Sequence, residues 1–113
     1  MIETTVLEYL NSRLDGVSAY MEVPREVPDS FVVIEKTGEI VNDQVHRASI
    51  AFQSYSLTSL YSAASLDETV RSIMDDMPAY TDVSACRLAS NYNFTDSRTK
   101  RYRYQCVYTI SFV

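Results

Sequence analysis

The chain has 113 residues and a mass of 12.9 kDa, enough for one domain with roughly 6,300 Å² of folded surface. Apolar residues make up 46% and charged residues 22%, with nine Tyr and four Phe against two Gly and three Pro, which excludes a disordered composition. No apolar run approaches the roughly 20 residues of a membrane helix, and the net charge of −5 argues against a general nucleic-acid binder, which is normally basic.

Residues 3–14 read as a helix, because Val6, Leu7, Leu10 and Leu14 fall on one stripe. Glu3 suits its positive end, and Gly16 stands where a left-handed C-terminal cap is expected. A short extended stretch, Ala19 to Val23, follows, and Pro24 and Pro28 bracket an irregular segment. Residues 31–37 (FVVIEKT) have a strand signature, and Gly38 to Asp43 (GEIVND) read as a loop. Residues 44–56 alternate as a long strand: Ala48, Ile50, Phe52 and Ser54 share one face, and Arg47, Ser49, Gln53 and Tyr55 the other.

Residues 59–77 carry the clearest helical period, with Ala63, Leu66, Val70, Ile73 and Met77 spaced three and four apart. Thr58 is the expected N-cap and Pro78 the expected stop. Residues 83–94 and 101–113 read as the arms of a long hairpin across the polar loop TDSRTK. In the first arm Cys86, Leu88, Ser90, Tyr92 and Phe94 share a face; in the second, Tyr102, Tyr104, Cys106, Tyr108, Ile110 and Phe112 do. The order predicts a single α+β domain over residues 1–113: a mainly antiparallel sheet of four to five strands with two helices packed on one face.

Charge is segregated along the chain. Residues 1–82 hold fourteen acids and five bases, a balance of −9, whereas residues 83–113 hold Asp96 and five bases, a balance of +4. A chain polarised this way can associate head-to-tail with copies of itself. The start, MIETTVLEYLNSRL, lacks the basic and apolar regions of a secretory signal, so the two cysteines, Cys86 and Cys106, are expected to stay reduced. Pairing Tyr92 with Tyr104 places Cys86 opposite Ile110 and Cys106 opposite Ser90, so the thiols do not face each other.

No reaction can be assembled from these residues. Two isolated glycines, Gly16 and Gly38, do not make a phosphate loop. His46 is the single imidazole, has no nucleophile signature beside it, and reads as a strand-end residue near the mouth of the loop. His46, Cys86 and Cys106 lack metal-ligand spacing, and the adjacent Asp75 and Asp76 point apart on a helix, so no metal, cofactor or catalytic residue is expected. The Tyr and Arg residues of the hairpin fit either a single-stranded nucleic-acid platform or a protein interface. The acidic remainder of the chain favours the interface.

Several stretches resemble small tail terminator, or tail completion, proteins of long-tailed bacteriophages and prophages. They are VPREVPDSFVVIEKTG (23–38), ASIAFQSYS (48–56), YSAASLDETVRSIM (61–74) and SNYNFTDSRTKRYRYQCVYTISF (90–112), in an order that covers nearly the whole chain. The resemblance implies a non-enzymatic virion protein that forms a homo-hexameric ring on the head-proximal end of the tail. It would cap the tail tube protein and meet the head connector proteins, with DNA passing through the ring without sequence-specific binding and no membrane contact. It implies assembly in the host cytoplasm and residence in the virion. A head-completion protein at the same junction is the neighbouring role, and a nucleic-acid-binding module using the C-terminal hairpin is the alternative outside the family.

Within that reading, the polar stretch Gly38, Glu39, Ile40, Val41, Asn42 and Asp43, with Arg47 beside it, is the expected tail-tube contact, because it exposes Ile40 and Val41 between supporting strands. Arg98, Lys100, Arg101 and Arg103 are the expected subunit or connector contact.

Overall fold

The structure, a computed structural model, describes residues 1–99 and 101–113. Its elements run α1 (Ile2–Arg13), β1 (Ala19–Tyr20), β2 (Ser30–Asn42), β3 (Val45–Ser56), α2 (Leu60–Asp75), α3 (Met77–Tyr80), β4 (Ala85–Asn93) and β5 (Tyr102–Phe112). The five strands form one open sheet in the order β1-β2-β3-β5-β4. Only the two-residue β1 lies parallel to its neighbour; the other pairs are antiparallel. The class is therefore α+β, as expected.

The alternation in β3 has the expected consequence on one face. Ala48, Ile50, Phe52 and Ser54 are fully buried. The three apolar ones join Val32 and Ile34 of β2, Cys106, Tyr108 and Ile110 of β5, and Val6, Leu10, Val70 and Met74 of the helices in a single core. The Phe52 ring meets Tyr108 edge-on at 5.9 Å. Phe31, Val33 and Tyr55, which alternate out of phase with that set, form a second small cluster with Tyr20 and Val27, and Phe31 stacks on Tyr55 at 4.5 Å. The second face of β3 is thus partly buried too, beside the Pro-bracketed segment that contributes Val27.

Five sequence expectations need correction. The stretch 38–43 is not a loop. β2 continues to Asn42, Asn42 pairs with Val45, and the reversal is made by Asp43 and Gln44, both with positive φ (52° and 67°). Positive φ at both central residues is the primed turn that fits the twist of a hairpin. It is usually signalled by Asn-Gly, and Asp-Gln carries no such mark. Gly16 is left-handed (φ 75°) but does not cap α1, whose last residue is followed by an extended Leu14. The N-cap of α2 is Ser59, whose hydroxyl accepts from the Ser62 N–H, not Thr58. Pro78 does not simply stop the helix; it sits in the first turn of α3, where its missing N–H costs nothing.

The fifth correction concerns the terminal hairpin. Cys86 does lie opposite Ile110, but an irregularity between Leu88 and Ser90 shifts the register, so Tyr92 faces Gln105 and Cys106 faces Asn91. One extra residue in a strand inverts the facing of everything beyond it. Tyr92 and Phe94 therefore leave the face of Cys86 and Leu88 and stand with Arg103 and Gln105.

Candidate interaction surfaces

The register puts the two hairpin turns at opposite ends of the sheet. His46, beside the β2–β3 turn, pairs with Phe112, while Ser56, at the other end of β3, pairs with Tyr102, beside the β4–β5 turn. The molecule is 44 Å long and about half as wide (26 × 24 Å). The expected tail-tube residues lie at one pole, and Arg98, Arg101 and Arg103 of the expected connector contact at the other.

At the first pole, every residue from Glu35 to Gln44 is exposed, including Ile40 at 64% and Val41 at 60%. Side chains tie this ribbon down behind its tip. Lys36 Nζ donates to Glu39 Oε1 at 3.0 Å and lies 3.8 Å from Glu3 Oε1 on α1. Glu39 Oε2 is 2.8 Å from His46 Nδ1, and the imidazole stacks on Phe112 at 5.0 Å. Hydrogen bonds from His46 and then Lys36 hold the Glu39 carboxyl below its ordinary value. His46 is thus a clamp on the ribbon. A shallow cleft of about 300 Å³ lies between Gly38, Glu39, Ile40, Arg47, Ser49 and Thr109, which brings Arg47 to the expected contact residues.

At the second pole, Asp96 Oδ1 accepts from the Arg98 N–H at 2.9 Å, and this bond leads the causes that lower the Asp96 carboxyl. The backbones of Asp96 and Arg101 form an isolated antiparallel β-bridge. Lys100 lies outside the described residues. Arg103 has local partners: its Nε donates to Phe94 O at 2.7 Å and its Nη1 to Tyr55 Oη at 3.0 Å, and its guanidinium lies 4.1 Å from the Phe94 ring centre. A polar chain continues across the strands, with Gln53 donating to Gln105 at 2.9 Å and Gln105 donating to the Tyr92 hydroxyl. Arg98 and Arg101 come from the turn and its closing bridge, whereas Arg103 is part of a braced aromatic surface.

The composition gave no sign of a buried polar cluster under α2. Asp67 is 1% exposed; its Oδ2 accepts from Arg71 Nε at 3.1 Å and from Asn91 Nδ2 at 2.8 Å. The Tyr108 hydroxyl donates to Asp75 Oδ1 at 2.8 Å and lies 3.1 Å from the Arg71 carbonyl, which shares its one proton. The only signal available was that Asp67 falls beside Leu66 on the apolar stripe. These bonds pin α2 to β4 and β5. A cleft of about 530 Å³ also opens beside Met1, Ile2, Tyr80 and Phe112.

The thiols are poor nucleophiles. Burial, followed by the Asp75 charge, pushes Cys86 up to about 12, and burial with the Asp67 charge raises Cys106. Burial and the bond to Asp75 likewise raise the Tyr108 phenol. Groups with folded values above their unfolded ones stabilise the fold below the unfolded value and withdraw that contribution as pH rises. Unfolded thiols and phenols titrate near 9 and 10, so stability should hold to about pH 8 and fall steadily above pH 9. Urea midpoints between pH 7 and 11 measure this, and Cys86→Ala should flatten the decline. A midpoint rising above pH 9 would contradict the assignment.

Among the described residues, no group of three His, Cys, Asp or Glu side chains is placed to hold a metal ion. No helix is long and apolar enough to cross a membrane among them. Compared with known proteins, the chain matches no family model and no curated protein.

Proposed function

We propose that this chain is a ring-forming virion protein that caps the head-proximal end of a bacteriophage tail tube and joins it to the head connector, with both long helices on one face of its sheet. The observation that carries the reading is the pair of unlike poles: a ribbon tip exposing Ile40 and Val41 at one end and a basic turn at the other. A capping ring has two unlike faces, one for the tube and one for the connector. The resemblance of residues 23–38, 48–56, 61–74 and 90–112 to tail terminators points the same way. In this reading Gly38–Asp43 with Arg47 meets the tube, and Arg98, Lys100, Arg101 and Arg103 face the connector. The head-completion role differs only in which layer of the junction the ring occupies.

Light scattering of the protein alone and with purified tail tubes tests the reading. The protein should be monomeric or weakly associated in dilute solution, and a tube should stop growing when about six copies bind its head-proximal end, because a template raises the local concentration of weakly self-associating subunits. A stable two-fold dimer under both conditions would overturn it. So would micromolar binding to single-stranded DNA with a steep salt slope.

A further inference from the structure

The sheet has two uncovered edges on opposite sides of the molecule. β1 pairs only with Val32 and Val33, so the outer edge of β2 from Ile34 to Asn42 meets no other strand among the described residues. At the other side, β4 (Ala85–Asn93) has no strand beyond it among the described residues. These free stretches match in length, at nine residues each.

Natural sheets blunt such edges with Pro, with outward Lys or with very short strands. Neither stretch contains Pro, and β4 has no Lys. The single Lys of the β2 edge, Lys36, is folded onto Glu39 and Glu3. The edges also differ in charge and both carry apolar side chains. β2 offers Glu35 and Glu39 with Ile40 and Val41, whereas β4 offers Arg87 and no acid, with Leu88 and Tyr92. Each strand has one irregularity, at Thr37 and at Ala89. These bend the edges without covering them.

We infer that β4 of one copy adds to the outer edge of β2, beyond β1, in the next copy, so that the sheet continues between subunits. Because the joined edges are different surfaces, the contact is heterologous and propagates around an axis instead of closing a two-fold dimer. Strand direction follows from the topology. β2, β3, β5 and β4 reverse in turn, so β4 runs opposite to β2. Rotation about a ring axis along the strands preserves direction, which makes the new pair antiparallel, the more stable kind. β1, seated on Val32 and Val33, limits how far the incoming strand can slide. The closure into a ring rests on the capping reading; the edge pairing needs no tail.

Backbone polarity identifies the amides that would report it. Val32 N–H points outward, to Ser18 O at 3.1 Å, and the parallel register with β1 engages the outward Ile34 N–H as well, so Lys36 carries the first free outward amide; Phe94 N–H points inward, to Arg103 O at 2.8 Å, so Asn91 and Asn93 N–H point outward. Amide hydrogen exchange of the full chain, followed by NMR at micromolar and at millimolar concentration, tests the proposal. Exchange at Lys36, Asn91 and Asn93 should slow roughly ten-fold or more at high concentration, while the inward amides of Val33 and Tyr92 stay unchanged. The variant Leu88→Lys, an edge lysine on a 44% exposed position, should remove that protection with an unaltered far-UV spectrum. Protection gained on one edge only, gained elsewhere, absent at millimolar concentration, or unaffected by Leu88→Lys would overturn it. Edge protection in a protein that does not cap tubes would sink the capping reading alone. Capped tubes whose bound subunits show no edge protection would sink the edge pairing alone.

Discussion

Phe52→Ala should destabilise the protein by about 3–5 kcal/mol, the range for removing a large aromatic from a packed core. Phe52 is fully buried at the centre of β3, between Ile34 on β2 and Cys106 on β5, with its ring edge-on to Tyr108. The cavity it leaves would be lined by strands tied on both sides by backbone bonds, which limits collapse. A domain of this size has about 5–15 kcal/mol in total, so the variant should be only marginally folded, melting about 12–20 °C lower. Phe94→Ala is the matched control. Phe94 is 40% exposed at the end of the terminal hairpin, so its loss should cost about 1 kcal/mol or less, chiefly through Arg103. Calorimetry of the two variants gives the comparison. Equal losses would mean that the core does not centre on β3.

The contrast between these two phenylalanines shows what could be read from residues alone. Both alternate correctly along their strands, and for Phe52 the alternation suffices, because β3 pairs with β5 without interruption from His46 to Ser56. For Phe94 it does not, since the shift at Ala89 inverts the facing of the strand beyond. A bulge leaves no mark in the hydrophobic pattern when small residues such as Ala89 and Ser90 surround it. The β2–β3 turn is hidden for a similar reason. Gly38 and Asn42-Asp43 are turn-forming residues, and the composition of 38–43 suits a loop. Pairing with β3, itself held by β5, overrides that local preference and carries β2 through to Asn42. The α2 stripe was legible because its period is strong, yet Asp67 could not be placed inside, since its partners Arg71 and Asn91 come together only in the fold. At the candidate surfaces, the exposure of Ile40 and Val41 was readable from their polar neighbours. The engagement of Arg103 by Tyr55 and Phe94 was not, because it depends on the inverted register.

The largest functional effect should come from Ile40→Asp with Val41→Asp. Deleting residues 39–43 would be a poor test, because Glu39 to Asn42 are paired with β3, Asp43 makes the turn, and Glu39 is held by Lys36 and His46. Substitution keeps the backbone ladder and changes only two side chains that are 64% and 60% exposed. Such positions normally move stability by less than about 0.5 kcal/mol, so the melting temperature should stay close to that of the parent. Adjacent strand residues point to opposite faces, so one aspartate stands on each side of the ribbon. If the ribbon tip inserts into the end of the tail tube, these two side chains are its apolar anchors. Loss of a central interface anchor costs about 2 kcal/mol or more, roughly thirty-fold in affinity, and a buried unpaired carboxylate adds to it. Tails assembled with the double variant should therefore run on past their normal length, as measured by electron microscopy. The single variants should differ, the stronger one marking the face that meets the tube. Tails of uniform parental length with the double variant would place the tube contact elsewhere on the molecule and leave the β2–β3 tip as solvent-exposed structure.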